Sequence, residues 1–231
     1  MAHQKDTLAK RILSSLILAP LVIAAVFYGD WPYHMLLALL LVLSVHEWGM
    51  MVRRLQKPFV MTLLGFVYLL ICFTSFVIVR ADPVQGLTAT LILLIAVWAS
   101  DIGAYILGKT FGRTRIAPRI SPGKTYAGLA GAIIPGALVP PLAALLGHSL
   151  LHAPDMQAPM QLSFVHIKLA LIGFFIGISG QCGDFLISYM KRKAGVKDSG
   201  TVIPGHGGVL DRIDALLLAG PVYLALLKVF V

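Results

Sequence analysis

The sequence predicts an all-α fold, a polytopic transmembrane helix bundle of about seven spans, plus or minus one. Three observations carry this. Hydrophobic residues fill 58% of the 231 positions and charged residues only 13%, where a soluble domain would carry about a quarter charged. The mean hydropathy is +0.86. The apolar residues also run in continuous stretches rather than alternating, which argues for helices against a barrel wall.

A stretch of ~20 apolar residues crosses a ~30 Å hydrocarbon core at a rise of ~1.5 Å per residue. Seven segments meet that test: Ile12–Gly29, Tyr33–Met51, Phe59–Val79, Val84–Leu107, Thr125–Gly147, Val165–Met190 and Val209–Val229. The first follows Lys5, Lys10 and Arg11 in the manner of a signal peptide, but its length and the spans behind it favour a retained anchor. No room is left for a sizeable soluble domain, so residues 1–231 read as one integral membrane domain.

The net charge of +9 could suggest nucleic acid, but its distribution points to topology instead. Cations precede the first span, follow the second at Arg53, Arg54 and Lys57, follow the fourth from Lys109 to Lys124, and follow the sixth from Lys191 to Arg212. Sixteen of the 19 Lys and Arg thus fall on one side, against Arg80, Lys168 and Lys228 on the other. The positive-inside rule then places the N-terminus in the cytoplasm, as expected of a bacterial inner membrane protein, with no nucleic-acid partner. Basic loops beside a membrane also attract anionic head groups.

Acids are scarce, ten in all. Asp101 and Asp184 lie inside apolar spans, where a carboxylate costs ~2.5–3.5 kcal/mol on insertion scales. Each is expected about six residues, or roughly 9 Å, from the cytoplasmic end of its helix. Asp211 and Asp214 open the last span and share a helix face. Acids from three helices therefore meet the two densest cationic loops at one level, the combination that Mg²⁺ and phosphates need together. The plainer readings are a macrodipole contact for Asp211 and Asp214 and a structural arginine pair for Asp101. Glu47, beside His46, reads as an interfacial structural pair rather than a catalyst. Cys72 and Cys182 have no metal-ligand spacing and read as reduced core residues.

One motif misleads. Gly103 to Thr110 fits GxxxxGK[ST], but that phosphate loop needs a strand before it and exposed amides. Here the variable positions are apolar and continue a transmembrane helix. Two other loops suit phosphate better. In the first, Ser121 is expected to cap the fifth span with Pro122 at its first helical position, leaving free amides beside Lys124. In the second, Gly205, His206, Gly207 and Gly208 would let amides approach a polyphosphate, between the cations Lys191–Lys197 and Asp211.

These residues carry a resemblance. The run Ser188-Tyr189-Met190-Lys191-Arg192 to Lys197-Asp198, followed by His206-Gly207-Gly208-Val209-Leu210-Asp211-Arg212-Ile213-Asp214, resembles the signature of the phosphatidate cytidylyltransferase (CDP-diacylglycerol synthase) family. Upstream, Ser100-Asp101, Gly103-Ala104-Tyr105, Gly108-Lys109, Phe111-Gly112 and Ser121 to Thr125 resemble it too. Ala127 departs from the Glu or Gln common there. The likeness covers roughly residues 95–220, so residues 1–94 read as N-terminal spans and 95–231 as the catalytic half.

The resemblance implies that CTP and phosphatidate react to give CDP-diacylglycerol and pyrophosphate. It implies Asp184 and Asp211 as ligands for Mg²⁺, with or without a second cation, and Asp101 and Asp214 as supporting acids. Lys191, Arg192, Lys197, Asp198, His206, Gly207, Gly208 and Arg212 would line the phosphate site, and Ser121 and Lys124 would hold the second phosphate-bearing substrate. The alternatives are a CTP-dependent polyprenol or lipid kinase, transferring the γ-phosphate, and an ion-coupled transporter. A transporter should spread acids through the bilayer depth, whereas these gather at one face. Gly173 and Gly177 form GxxxG, a close-packing motif that also suits a homodimer.

Overall fold

A computed structural model describes residues 16–151, 159–203, 205 and 207–230. It is helical almost throughout. A short helix α1 (Leu16–Tyr28) is followed by α2 (Asp30–Val52), α3 (Pro58–Arg80) and α4 (Gly86–Phe111). Two short strands, β1 (Arg115–Ala117) and β2 (Ser121–Thr125), precede α5 (Tyr126–Leu151), α6 (Pro159–Lys193) and α7 (Leu210–Phe230). Six of these helices are long and apolar enough to cross a membrane, and α1 stands where the first span was expected. The chain is an integral membrane protein.

Two helix ends that bear on the site lie beyond expectation. Helix α4 continues to Phe111 and α6 to Lys193, so Asp101 and Asp184 lie ten and nine residues from their helix ends rather than six. The segment Ser121–Thr125 is a strand, antiparallel to β1 with Ala117 opposite Ser121 and Arg115 opposite Thr125. Ser121 therefore does not cap α5, and Pro122 is not its first helical residue. Thr125 does the capping, its Oγ1 accepting the Gly128 amide at 3.1 Å. That is the usual work of a hydroxyl at a helix start.

The chain divides into two compact units, residues 1–87 with 186–214 and residues 88–185 with 215–231. In the first unit, α2 and α3 pack closely. Trp48 donates its indole N–H to the Met61 carbonyl at 2.9 Å, and Gly65 lies directly under the indole where a Cβ would collide. Tyr33 donates to the Phe76 carbonyl at 3.2 Å, and Arg80 donates to the Val26 carbonyl at 3.1 Å. Between α3 and α4, the Gln85 and Val84 amides bond to Asp82 and hold its carboxyl below the usual carboxylate range.

In the second unit, glycines set the helix spacing. A Cβ on Gly103 of α4 would overlap the Gly131 carbonyl oxygen of α5. Gly173 of α6 meets Gly136 of α5 in the same way, and Gly177 faces Ala132 and Ile133. With no hydrophobic force between helices in lipid, such close backbone contact is a main source of association. The GxxxG pair is thus used within the chain, against α5. Gly103–Thr110 is helical throughout, so the phosphate-loop reading stays excluded.

Candidate active site

The polar residues singled out above fall into two clusters, one in each unit. The cluster of the second unit is built from β2, α4 and α6. The strand delivers Lys124, whose Nζ lies 2.7 Å from Asp184 Oδ2 and 3.0 Å from Gln181 Oε1. The same ammonium stands 4.4 Å from the centre of the Phe185 ring. Gln181 and Asp184 are three residues apart on α6 and share its face. Gln181 also turns its amide towards Asp101 of α4, with Nε2 3.4 Å from Oδ1. Asp101, Gln181, Lys124 and Asp184 form one chain of polar contacts across three elements. Ser100 anchors this part of α4 by donating to the Ala132 carbonyl at 2.8 Å. Ser121 opens β2 three residues before Lys124.

The cluster of the first unit surrounds the junction of α6 and α7. Helix α6 ends in a Schellman arrangement: Gly195, at φ +69°, donates to Arg192 and Val196 donates back to Lys191. A left-handed residue there releases the chain from the helix at little cost only when it is glycine. Lys191 on the last turn of α6 reaches Asp211 on the first turn of α7, with Nζ 2.7 Å from Oδ1. Both side chains are well enclosed, at 12% and 6% exposure. The other Asp211 oxygen accepts the Ser199 amide at 2.8 Å, the Ser199 hydroxyl at 3.0 Å and the Gly208 amide at 3.0 Å.

These partners change what several residues can do. The Gly208 amide, expected to face a polyphosphate, points inward to Asp211. Gly207 pairs with Ile203 in a single antiparallel bridge, at φ +82°. Arg192, Lys197, Asp198 and Arg212 are exposed, and Asp214 is half-buried. His206 lies outside the described residues. Asp211 is more than a helix-dipole residue, since four contacts fix its direction.

Two residues that the sequence reading passed over, Gln181 and Ser199, and one that it read as an interfacial pair with His46, Glu47, belong to these clusters. Gln181 bridges Lys124 and Asp101, and a polar residue three positions before Asp184 in an apolar run was the available signal. Ser199 follows Lys197-Asp198 directly and is 4% exposed. Glu47 is fully buried and bonds to Ser199, Val209 and Leu210 rather than to the neighbouring, exposed His46.

Among the described residues no group of three or more His, Cys, Asp and Glu gathers as a ready metal cage. Mg²⁺ seldom uses one, holding instead one or two carboxylates, waters and substrate phosphates. Asp184 and Asp211 offer hard oxygen donors that each already take a positive ammonium at 2.7 Å. In donor chemistry and in sign they fit a hard cation.

A helical membrane protein that pairs carboxylates with lysines, once on the body of α6 and once where α6 ends and α7 begins, has the makings of an enzyme that handles phosphate groups. The profile of the cytidylyltransferase family matches residues 54–230, and the chain belongs to that family. The chain is 33% identical over 219 residues to a phosphatidate cytidylyltransferase of Rickettsia bellii, covering 95% of this chain and 90% of that one. It is 38% identical over 167 residues to the phosphatidate cytidylyltransferase of Bacillus subtilis, covering 72% and 57%. With that of Rickettsia felis the identity is 32% over 222 residues, covering 96% and 93%.

Proposed function

We propose that the chain transfers the cytidylyl group of CTP to phosphatidate, forming CDP-diacylglycerol and releasing pyrophosphate. The observation that carries this reading is the match to phosphatidate cytidylyltransferases over nearly the whole chain, with the signature residues Lys191 and Asp211 ion-paired at 2.7 Å. A phosphate oxygen of the lipid attacks the α-phosphorus of CTP. The new P–O bond forms as the α–β P–O bond breaks, and the electron pair leaves with pyrophosphate. No protein nucleophile is needed, because such transfers depend on positioning and on neutralising charge.

In this reading the cations bind and the carboxylates orient. Lys191, Arg192, Lys197, His206 and Arg212 neutralise phosphate oxygens around the junction of α6 and α7. Lys124, with Ser121 three residues before it on β2, holds the second phosphate-bearing substrate. Asp184 and Asp211 would hold Mg²⁺, which when bound supplies positive charge against the triphosphate. Asp101, through Gln181, and Asp214 orient their neighbours. CTP is a cytoplasmic substrate, so the cationic loops face the cytoplasm of a bacterial inner membrane, as the charge distribution supports.

The test is incubation of purified protein with CTP, phosphatidate and Mg²⁺, with the lipid product identified by mass. CDP-diacylglycerol is expected. Asp184→Asn and Asp211→Asn keep size but remove the charge a hard cation requires. Turnover should fall by orders of magnitude in folded protein. Folded variants with normal turnover and unchanged Mg²⁺ dependence would remove both residues from the site.

A further inference from the structure

Glu47 is the only glutamate in the chain, and the reaction proposed above does not use it. It lies seven residues before residue 54, where the match to the family profile begins. Its carboxylate is fully buried on α2, yet its partners Ser199, Val209 and Leu210 lie 152 to 163 residues further along. Oε2 accepts the Ser199 hydroxyl at 2.8 Å and the Leu210 amide at 2.9 Å, while Oε1 accepts the Val209 amide at 2.8 Å. Leu210 is the first residue of α7 and Val209 directly precedes it. Their amides have no carbonyl to bond within the helix and carry the positive end of its dipole. A buried carboxylate is costly unless donors and positive charge surround it, and the start of α7 supplies both.

The segment is shaped around this carboxylate. A Cβ on Gly200 would stand 2.8 Å from Oε1, and one on Gly208 would overlap Oε2 and the Ser199 hydroxyl. Ser199 links Glu47 to the reaction site, because its hydroxyl also lies 3.0 Å from Asp211 Oδ2. One hydroxyl proton serves one acceptor at a time. When it turns to Glu47, Asp211 keeps the Ser199 and Gly208 amides. Both carboxylates therefore hold the same short segment, meeting at Ser199.

We infer that Glu47 is a positioning residue for the transfer reaction. Without touching substrate, it pins the segment from Ser199 to Leu210 against α2 and so sets the direction of Asp211 and of its partner Lys191. The inference rests on the function proposed above. A merely structural anchor would govern how much protein folds; a positioning residue governs how fast each folded molecule works.

Glu47→Gln separates the two. It keeps the length and one acceptor oxygen but brings an NH₂ against Ser199, Val209 or Leu210. In purified, folded protein kcat should fall roughly 10²-fold, the scale of an ångström-sized misplacement. KM for the substrate held at Lys124 should stay within about threefold, since that site is untouched. Hydrogen exchange should rise in a peptide covering residues 197–211 and not in one from α3. Should Glu47→Gln fail to fold, Ser199→Ala removes the hydroxyl that Glu47 and Asp211 share, leaving the Ser199 amide on Asp211, and should lower kcat about tenfold with the melting temperature nearly unchanged. A wild type active on CTP and phosphatidate beside an equally active, folded Glu47→Gln, or beside an equally active Ser199→Ala where Glu47→Gln does not fold, overturns this inference alone. A wild type without turnover overturns the proposed function, and this inference with it.

Discussion

Lys124 and Asp184 should be energetically coupled, and the size of that coupling follows from the site. At 2.7 Å and an effective dielectric of ~20, the gross attraction is about 6 kcal/mol. Two things reduce it. The side chains retain 15% and 30% of their exposure, and removing both charges from water opposes the gain. Polar pairs in membrane bundles average ~0.6 kcal/mol and reach ~1.7 kcal/mol. Because Lys124 also serves Gln181 at 3.0 Å, the upper part of that range applies, about 1–2 kcal/mol. The assay is a double-mutant cycle of Lys124→Met, Asp184→Asn and both together, followed by equilibrium unfolding in mixed micelles on addition of SDS. Lys124→Met alone leaves a carboxylate without its cation and should be less stable than the double variant. Additive single effects, with coupling below ~0.3 kcal/mol, would refute the view that this pair is enclosed enough to matter.

Gly103→Ala should act through packing alone. Its Cβ would press on the Gly131 carbonyl of α5, and overpacking of this kind costs about 1–3 kcal/mol. The folded fraction should keep its preference for CTP over ATP, and ATP hydrolysis that depends on Lys109 would contradict the helical reading of this segment. A cysteine introduced at the exposed Thr114, in a background lacking Cys72 and Cys182, should resist an impermeant thiol reagent applied outside intact cells. One near Gln157 should react, and the reverse pattern would place the cationic loops away from CTP.

The helices and the charged residues within them were legible because both obey simple rules. Lipid demands ~20-residue apolar runs, and a carboxylate such as Asp184 in one of them stands out. What escaped was set by tertiary contact. Ser121-Pro122 has the local chemistry of a helix start, but pairing with β1 made it a strand and moved the cap to Thr125. Gly208 read as an amide free for phosphate, yet Asp211 lies three residues on and takes its N–H. Glu47 was visible as a lone acid, but nothing local says that its donors are the amides of Val209 and Leu210. Spacing along the chain shows which residues are costly to bury and not which distant group offsets the cost.

The central claim is a nucleotidyl transfer, and the fate of the CTP phosphates tests it most directly. With CTP labelled in the α-phosphate, purified protein, phosphatidate and Mg²⁺ should yield a labelled lipid. With CTP labelled in the γ-phosphate, the label should leave as pyrophosphate and the lipid should carry none. Label from the γ-phosphate in the lipid would contradict the account and identify a lipid kinase.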